Sequence, residues 1–324
     1  MHDGGKTWSE LKPSKTLVRR DIGNGIEIAM CDSTLCIIKK TGKIILLGHY
    51  AAYVNDNLMS PPRPRHTTYA VYDEENGDFS PFGLLEIPKD DEETYFSCGN
   101  GSGQSIELEN GDLLIPVYYN DKKSACDPWH SCLSASVMHC SFNGKKLKFL
   151  EMGNELTVGM PRGLGEPSIA YYNGEYILAL RNDKSGYVSK GKDGLHYEQP
   201  KELVFDIGEN VGNYCTQQHW ITGGGKLYMV YTHKGADNDV FRHRAPLFIA
   251  EFDAEKMCLI RSAEQIVVPN RGARLGNFGC QSFTNGKSAF VYASEWMQPV
   301  GCEKYGSDNS IFVSNITFER EKIV

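Results

Sequence analysis

Glu166 and Arg181 stand at the two ends of the stretch EPSIAYYNGEYILALR. A carboxylate can take or give a proton at a reacting centre. A guanidinium is planar, always charged, and grips another carboxylate through two parallel donors. Between them lie two apolar runs, 168–172 and 176–180, separated by Asn173 and Gly174. Asn-Gly between β-rich runs is a strong hairpin signal, and a hairpin returns the chain to its starting point. The acid and the base are therefore expected side by side, as a site or as a plain ion pair at the hairpin's open end.

The same hairpin recurs. STLCIIKK and KIILLGHY flank Thr41-Gly42, QSIELE and DLLIPVYY flank Asn110-Gly111, HWIT and KLYMVY flank Gly223 to Gly225, and GCQSFT and KSAFVYA flank Asn285-Gly286. A third β-rich run follows each pair: HTTYAVY, SASVMHCSF, SGYVSK, APLFIAEF and SIFVSNITF. No amphipathic helix is visible. All-β units repeating at this spacing predict a β-propeller, residues 1–324 as one domain with five blades visible plus an N-terminal strand.

The repeat lists one rim of that propeller. First-strand entries carry Ser102 and Gln104, Glu166, Gln218 and His219, and Arg274 with Asn277. Second-strand exits carry His49, Tyr119 and Asn120, Arg181 and Asn182, His233 and Lys234, and Glu295 with Trp296. The same face receives the loop ADNDVFRHRAP, with Asp237, Asp239, Arg242, His243 and Arg244, and the segment 55–66, with Arg63 and Arg65. A concave rim rich in arginine and histidine is a pocket for an acidic ligand. Arg274 is expected to meet that ligand or to pair with Glu295.

The net charge of −7 argues against nucleic acid as the main partner, so an anion site must be a local arginine cluster. No apolar run approaches a membrane span. No signal peptide is visible, which reads as cytoplasmic, or as secreted if the N-terminus is truncated. The ten cysteines lack metal-ligand spacing and read as packed thiols, and neither a metal nor a cofactor is expected.

Residues 3–8, Asp-Gly-Gly-Lys-Thr-Trp, resemble the Asp-box of sialidase-type propellers, and SKGKDGLHY at 189–197 looks like a degenerate copy. With GSGQSIELENGDLLIPVYY at 101–119 and the 166–181 hairpin, these residues make the chain similar to the sialidase (neuraminidase, BNR-repeat) superfamily, of the family 33 glycoside hydrolase kind. The resemblance implies a six-bladed plan. Either the N-terminal strand completes the last blade of five, or a first blade is missing. It also implies that Glu166 assists a tyrosine nucleophile and that Arg181 belongs to a carboxylate-binding triad, with Arg274 as another member. The nucleophile's expected place holds Asn277, Phe278 and Cys280, and Tyr305 lies in a later loop.

Three readings follow. In the first, a glycoside hydrolase removes a terminal sialic or uronic acid. Glu166 serves as base or nucleophile partner, Arg181 and Arg274 as clamps, and Asp237, Asp239 or Glu295 as proton donor, with Gln218, His49, Gln104, Asn277, Trp296, His233 and Arg242 lining the pocket. In the second, a propeller lyase abstracts a proton beside a uronate carboxylate, with His219 as base. In the third, a non-catalytic propeller binds sugars, with Trp296 and Trp129 as stacking platforms.

Overall fold

The computed structural model describes residues 7–88, 90, 92–127, 132–212, 216–235, 243–283 and 286–318. It contains five β-blades in chain order, and the described residues include no α-helix, only three short 3-10 turns. Blade one is built on Ile26–Ile38, Lys43–Val54 and Arg65–Asp73. In blade two the innermost strand is broken into Ser97–Gly99 and Ile106–Glu107, followed by Leu113–Asn120, Cys132–Phe142 and Leu147–Met152. Blade three runs Gly165–Tyr172, Glu175–Arg181, Tyr187–Gly191 and Lys201–Glu202. Blade four is formed by His219–Gly223, Lys226–Tyr231, Leu247–Asp253 and Cys258–Leu259, and blade five by Gly279–Ser282, Ser288–Trp296 and Ile311–Thr317.

The hairpins form where the turn residues demand them. Gly42, Gly111, Gly174, Gly224 and Gly286 all have positive φ, the conformation a tight hairpin needs and a side chain resists. The outer turns use a second device. Asp73, Asn143, Asp193 and Asp253 each accept two backbone N–H bonds, from the residues two and three positions on, in blades one to four. At Asp193 these bonds and His196 outweigh burial and bring the carboxyl down to about 2. Of the motif at 3–8, residues 3–6 lie outside the described residues, and Trp8 is exposed rather than packed between blades.

Alternation along each strand sends one set of side chains to each neighbouring blade. Four cores result. Ile45, Leu47, Leu113 and Ile115 lie between blades one and two, and Leu114, Ile169, Leu178 and Leu180 between two and three. Trp220, Tyr231, Phe205 and Phe252 fill the space between three and four, and Ile221, Leu247, Leu275 and Val291 that between four and five. The free face of blade one carries a smaller cluster, Ile28, Tyr50, Ala52, Ala70 and Phe82. Leu17 packs on it, the Lys15 amide donates to Asp78 at 2.8 Å, and the Thr16 hydroxyl donates to the Phe79 carbonyl at 2.6 Å. The described N-terminal residues thus lie along blade one.

Polar side chains close the axis. The Gln104 amide both donates to the Trp220 carbonyl (2.9 Å) and accepts from the Trp220 amide (2.7 Å), linking blades two and four. The Trp220 indole donates to the Ser168 carbonyl at 3.0 Å, and the Thr34 hydroxyl to the Gly103 carbonyl at 2.7 Å. This layer is the floor beneath the rim.

Candidate active site

The first strands of blades one, two and three share a distortion two residues before the axial layer. Asp32 precedes Thr34, Ser102 precedes Gln104, and Glu166 precedes Ser168. All three have positive φ, +49°, +54° and +42°. Strand pairing slips at the same places, between Cys31 and Thr34 and between Gly165 and Ser168. Such a bulge re-aims a side chain out of the sheet. Left-handed backbone costs a non-glycine residue about 1–2 kcal/mol. With Arg162 and Arg244, five of the twelve non-glycine positive-φ residues described here gather at this rim, as expected of a site where geometry outranks stability.

A cavity of about 220 Å³ opens there, lined by Arg63, Arg65, Tyr118, Arg162, Glu166, Arg181 and Asp183 among others. Arg181 is buried and pairs closely with Glu166, and its other nitrogen lies 3.8 Å from Asp183. Asp183 also faces Arg162 at 3.6 Å. Glu166 Oε2 has no hydrogen-bond partner. Arg65 lies 4.0 Å over the Tyr118 ring. Among the described residues the lining thus sets four guanidinium groups against two carboxylates, an excess of positive charge. A larger hollow of about 560 Å³ lies between the outer parts of blades one and two, walled by Pro64, Leu85, Ile87 and Phe96. Among the described residues it carries none of the five strained rim residues and no arginine cluster.

Asp32 lies beside the cavity, in the field of Arg65 from its wall. His49 Nε2 lies 3.4 Å from Asp32 Oδ2, and the Asn277 amide donates to Oδ1 at 2.8 Å. The bond from His49, helped by the Arg244 and Arg65 charges, holds the Asp32 carboxyl below its ordinary value despite burial. His49 is itself buried, which pushes its imidazole down. It fits because residues 99 and 101 are glycine, and a Cβ on Gly101 would collide with the ring. Cys31, Asp32 and His49 come within metal-ligand spacing of one another. Two guanidinium groups near Asp32 oppose a cation there, and burial followed by the Asp32 charge pushes the Cys31 thiol up to about 12.

Of the residues picked out from sequence, Glu166, Arg181, Arg63 and Arg65 line the cavity, and His49, Ser102, Arg244 and Asn277 gather around Asp32. Others lie elsewhere. Gln104 is spent on the axial floor. Gln218 is buried against Gly186. His219 is buried, bonds the Ser168 hydroxyl at 2.8 Å, packs edge-on to Phe278, and is brought down to about 4 by burial. His233 stacks on Phe248 at 4.6 Å and meets Glu264 at 3.2 Å, in the outer layer between blades. Glu295 is buried and pairs with Arg271, not Arg274, through two bonds of 3.1 Å. Arg274 instead lies over Trp296, at 5.9 Å, and Trp296 is exposed. Tyr305 is exposed and sits against Gly272. Among the described residues the tyrosine that lines the cavity is Tyr118, whose phenol burial raises. Asp237, Asp239, Arg242 and Trp129 lie outside the described residues.

Asp32, Tyr118, Arg162 and Asp183 escaped the sequence reading. One signal could have found Asp32. Aligning the hairpins on Thr34, Gln104 and Ser168 puts it in the same column as Glu166. Tyr118, Arg162 and Asp183 had no such mark: Tyr118 and Asp183 are each one residue off a rim position read from the repeat, and Arg162 lies in the two-residue strand Arg162–Gly163 before the hairpin.

No family profile matches this sequence, and no curated protein does. Solved structures do. A Hadza microbial sialidase aligns at 13% identity and a TM-score of 0.61, over 90% of this chain and 55% of its own. The Trypanosoma rangeli sialidase aligns at 16% identity and 0.60, over 98% of this chain and 48% of its own. The RS223 β-xylosidase aligns at 12% identity and 0.53, over 90% of this chain and 93% of its own. The chain therefore has the fold of the sialidase-type β-propellers, and it spans about half the length of the sialidases it matches.

Proposed function

We propose that the protein is a glycoside hydrolase that removes a terminal acidic sugar, of the sialic or uronic acid type. One observation carries this reading. Two carboxylates, Asp32 and Glu166, occupy the same strained bulge on two inner strands; Glu166 lines the arginine-rich cavity, and Asp32 lies in the field of Arg65 from its wall. Most glycoside hydrolases use two such groups, one to protonate the leaving oxygen and one to act ionised on the opposite side of the anomeric carbon. Asp32, half-exposed and bonded by His49 and Asn277, is suited to the ionised role. Glu166 keeps one oxygen on Arg181 and leaves the other, Oε2, without a hydrogen-bond partner, so Oε2 is the oxygen not already committed within the protein. The similarity in fold to sialidases and a xylosidase fits glycosidase chemistry. The excess of arginine favours the acidic sugar over a neutral pentose.

The test is a panel of fluorogenic α-sialosides, β-glucuronides, α-glucuronides and neutral xylosides, assayed by release of the fluorophore. Hydrolysis of an acidic member, lost in Asp32→Asn and in Glu166→Gln, is expected. A preference for the neutral xyloside would overturn the assignment of substrate. An ultraviolet-absorbing unsaturated product from a uronate polymer would replace hydrolysis by elimination, although His219, proposed from sequence as the base for that chemistry, is buried beneath the rim.

A further inference from the structure

An acidic substrate needs a cation whose charge is not already neutralised. The four guanidinium groups of the cavity divide on this point. Arg181 is committed to Glu166 and Asp183, and Arg162 faces Asp183. Arg63 and Arg65 arrive from blade one, where the chain re-enters the sheet at Arg65. Among the described residues neither makes an ion pair. Arg63 donates to the Met59 carbonyl at 2.9 Å. Arg65 donates to the Tyr118 carbonyl at 3.4 Å, near the limit of a hydrogen bond, and its buried Nε has no acceptor. Asp32 feels the Arg65 charge without touching it.

Two like charges side by side at the wall of one cavity repel each other. Burial first, and the charge of Arg65 second, bring Arg63 below the usual guanidinium value. That cost is relieved when an anion sits between them. Arg65 is also held ready. Its guanidinium carbon is held 4.0 Å from the centre of the Tyr118 ring, so less side-chain entropy is left to lose on binding. A planar guanidinium suits a flat carboxylate.

We propose that Arg63 and Arg65 are the seat of the substrate's carboxylate, with Arg65 offering paired donors and Arg63 adding charge. The inference rests on the reading of this cavity as an acidic-sugar site. It moves recognition of the acid from Arg181, which organises Glu166, to blade one. Asp32 lies on the same blade, so one unit presents both the ionised carboxylate and the clamp.

The experiment measures binding rather than turnover, by calorimetry on the whole chain. The probes are glucuronate, N-acetylneuraminate and, as neutral control, methyl glucoside. The wild type is expected to bind at least one acid and to bind it less well as salt rises. Arg63→Gln and Arg65→Gln should each weaken that acid about tenfold to a hundredfold, the loss of a charge-assisted bond. Arg65→Lys, which keeps charge but not the fork, should recover part of it. The Arg65 Nε–Hε resonance should shift with the acid and stay unmoved with methyl glucoside. This signal decides the matter in the wild type if a glutamine variant fails to fold. Unchanged acid affinity in both glutamine variants, or an unmoved Arg65 resonance in the acid complex, overturns the seat alone. If the wild type binds neither acid, the acidic-sugar reading falls together with it.

Discussion

Asn277 of the last blade donates to Asp32 of the first, side chain to side chain at 2.8 Å, from 245 residues away. The same amide donates to the Ser102 hydroxyl at 2.7 Å, and its oxygen accepts from Arg244 at 2.6 Å. One side chain thus ties the rims of blades one, two and five to the loop after blade four's second strand. Asn277→Ala is expected to lower kcat about tenfold, the worth of one hydrogen bond of about 1.5 kcal/mol to a charged reacting group, with a smaller change in KM. Equal kinetics in the variant and the wild type would show that Asp32 needs no such tether.

The strained carboxylates should separate activity from stability. Asp32→Asn and Glu166→Gln are expected to cut kcat by about 10²–10⁴. Asp32→Gly should be equally inactive yet melt no lower than the wild type, because relief of about 1–2 kcal/mol of left-handed strain offsets its lost bonds. A marked fall in Tm for Asp32→Gly would mean that the bulge is not strained.

The pH dependence follows from the sign of the Asp32 shift. Its folded value is lowered, so the ionised form, and the stability its partners contribute, are complete above the ordinary 3.8 and are lost as pH falls through the lower folded value. The acid limb of kcat/KM should therefore lie below pH 3.8. In His49→Ala, which removes the first-ranked cause of the shift, the limb should move up. A carbon-13 titration of the Asp32 carboxyl reads the same change without activity, and a value equal in both proteins would refute the link.

Arg271 and Arg274 sit three residues apart and should behave oppositely. Arg271→Ala leaves the buried Glu295 without its guanidinium, and a clear fall in stability to urea is expected. Arg274→Ala removes only a stack on an exposed Trp296, worth roughly 0.5–1 kcal/mol. Similar losses for the two would show that Glu295 does not depend on its ion pair.

Arg181→Ala is expected to be costly as well as inactive. The substitution leaves Glu166 largely buried with neither oxygen bonded, and about 3 kcal/mol of stability should go with it. Chemical unfolding of this variant checks it. An unaltered midpoint would place Glu166 in easy reach of solvent.

Local chemistry was enough to declare the blades. Turn glycines at 42, 111, 174, 224 and 286 adopt the conformation a hairpin requires, and alternation then dictates which side chains meet the next blade. The hairpin at 166–181 likewise placed Glu166 beside Arg181, because both ends of a short hairpin share one rim. What lay beyond the primary sequence was everything decided by angle around the axis. Rim position alone did not tell His219, turned into the floor, from His49, turned toward Asp32. Nor did it tell which arginine of 271 and 274 would reach Glu295. Those choices depend on how five twisted sheets pack against one another, and only the tertiary structure brings Asp32, Asn277 and the arginines of blade one to the same hollow.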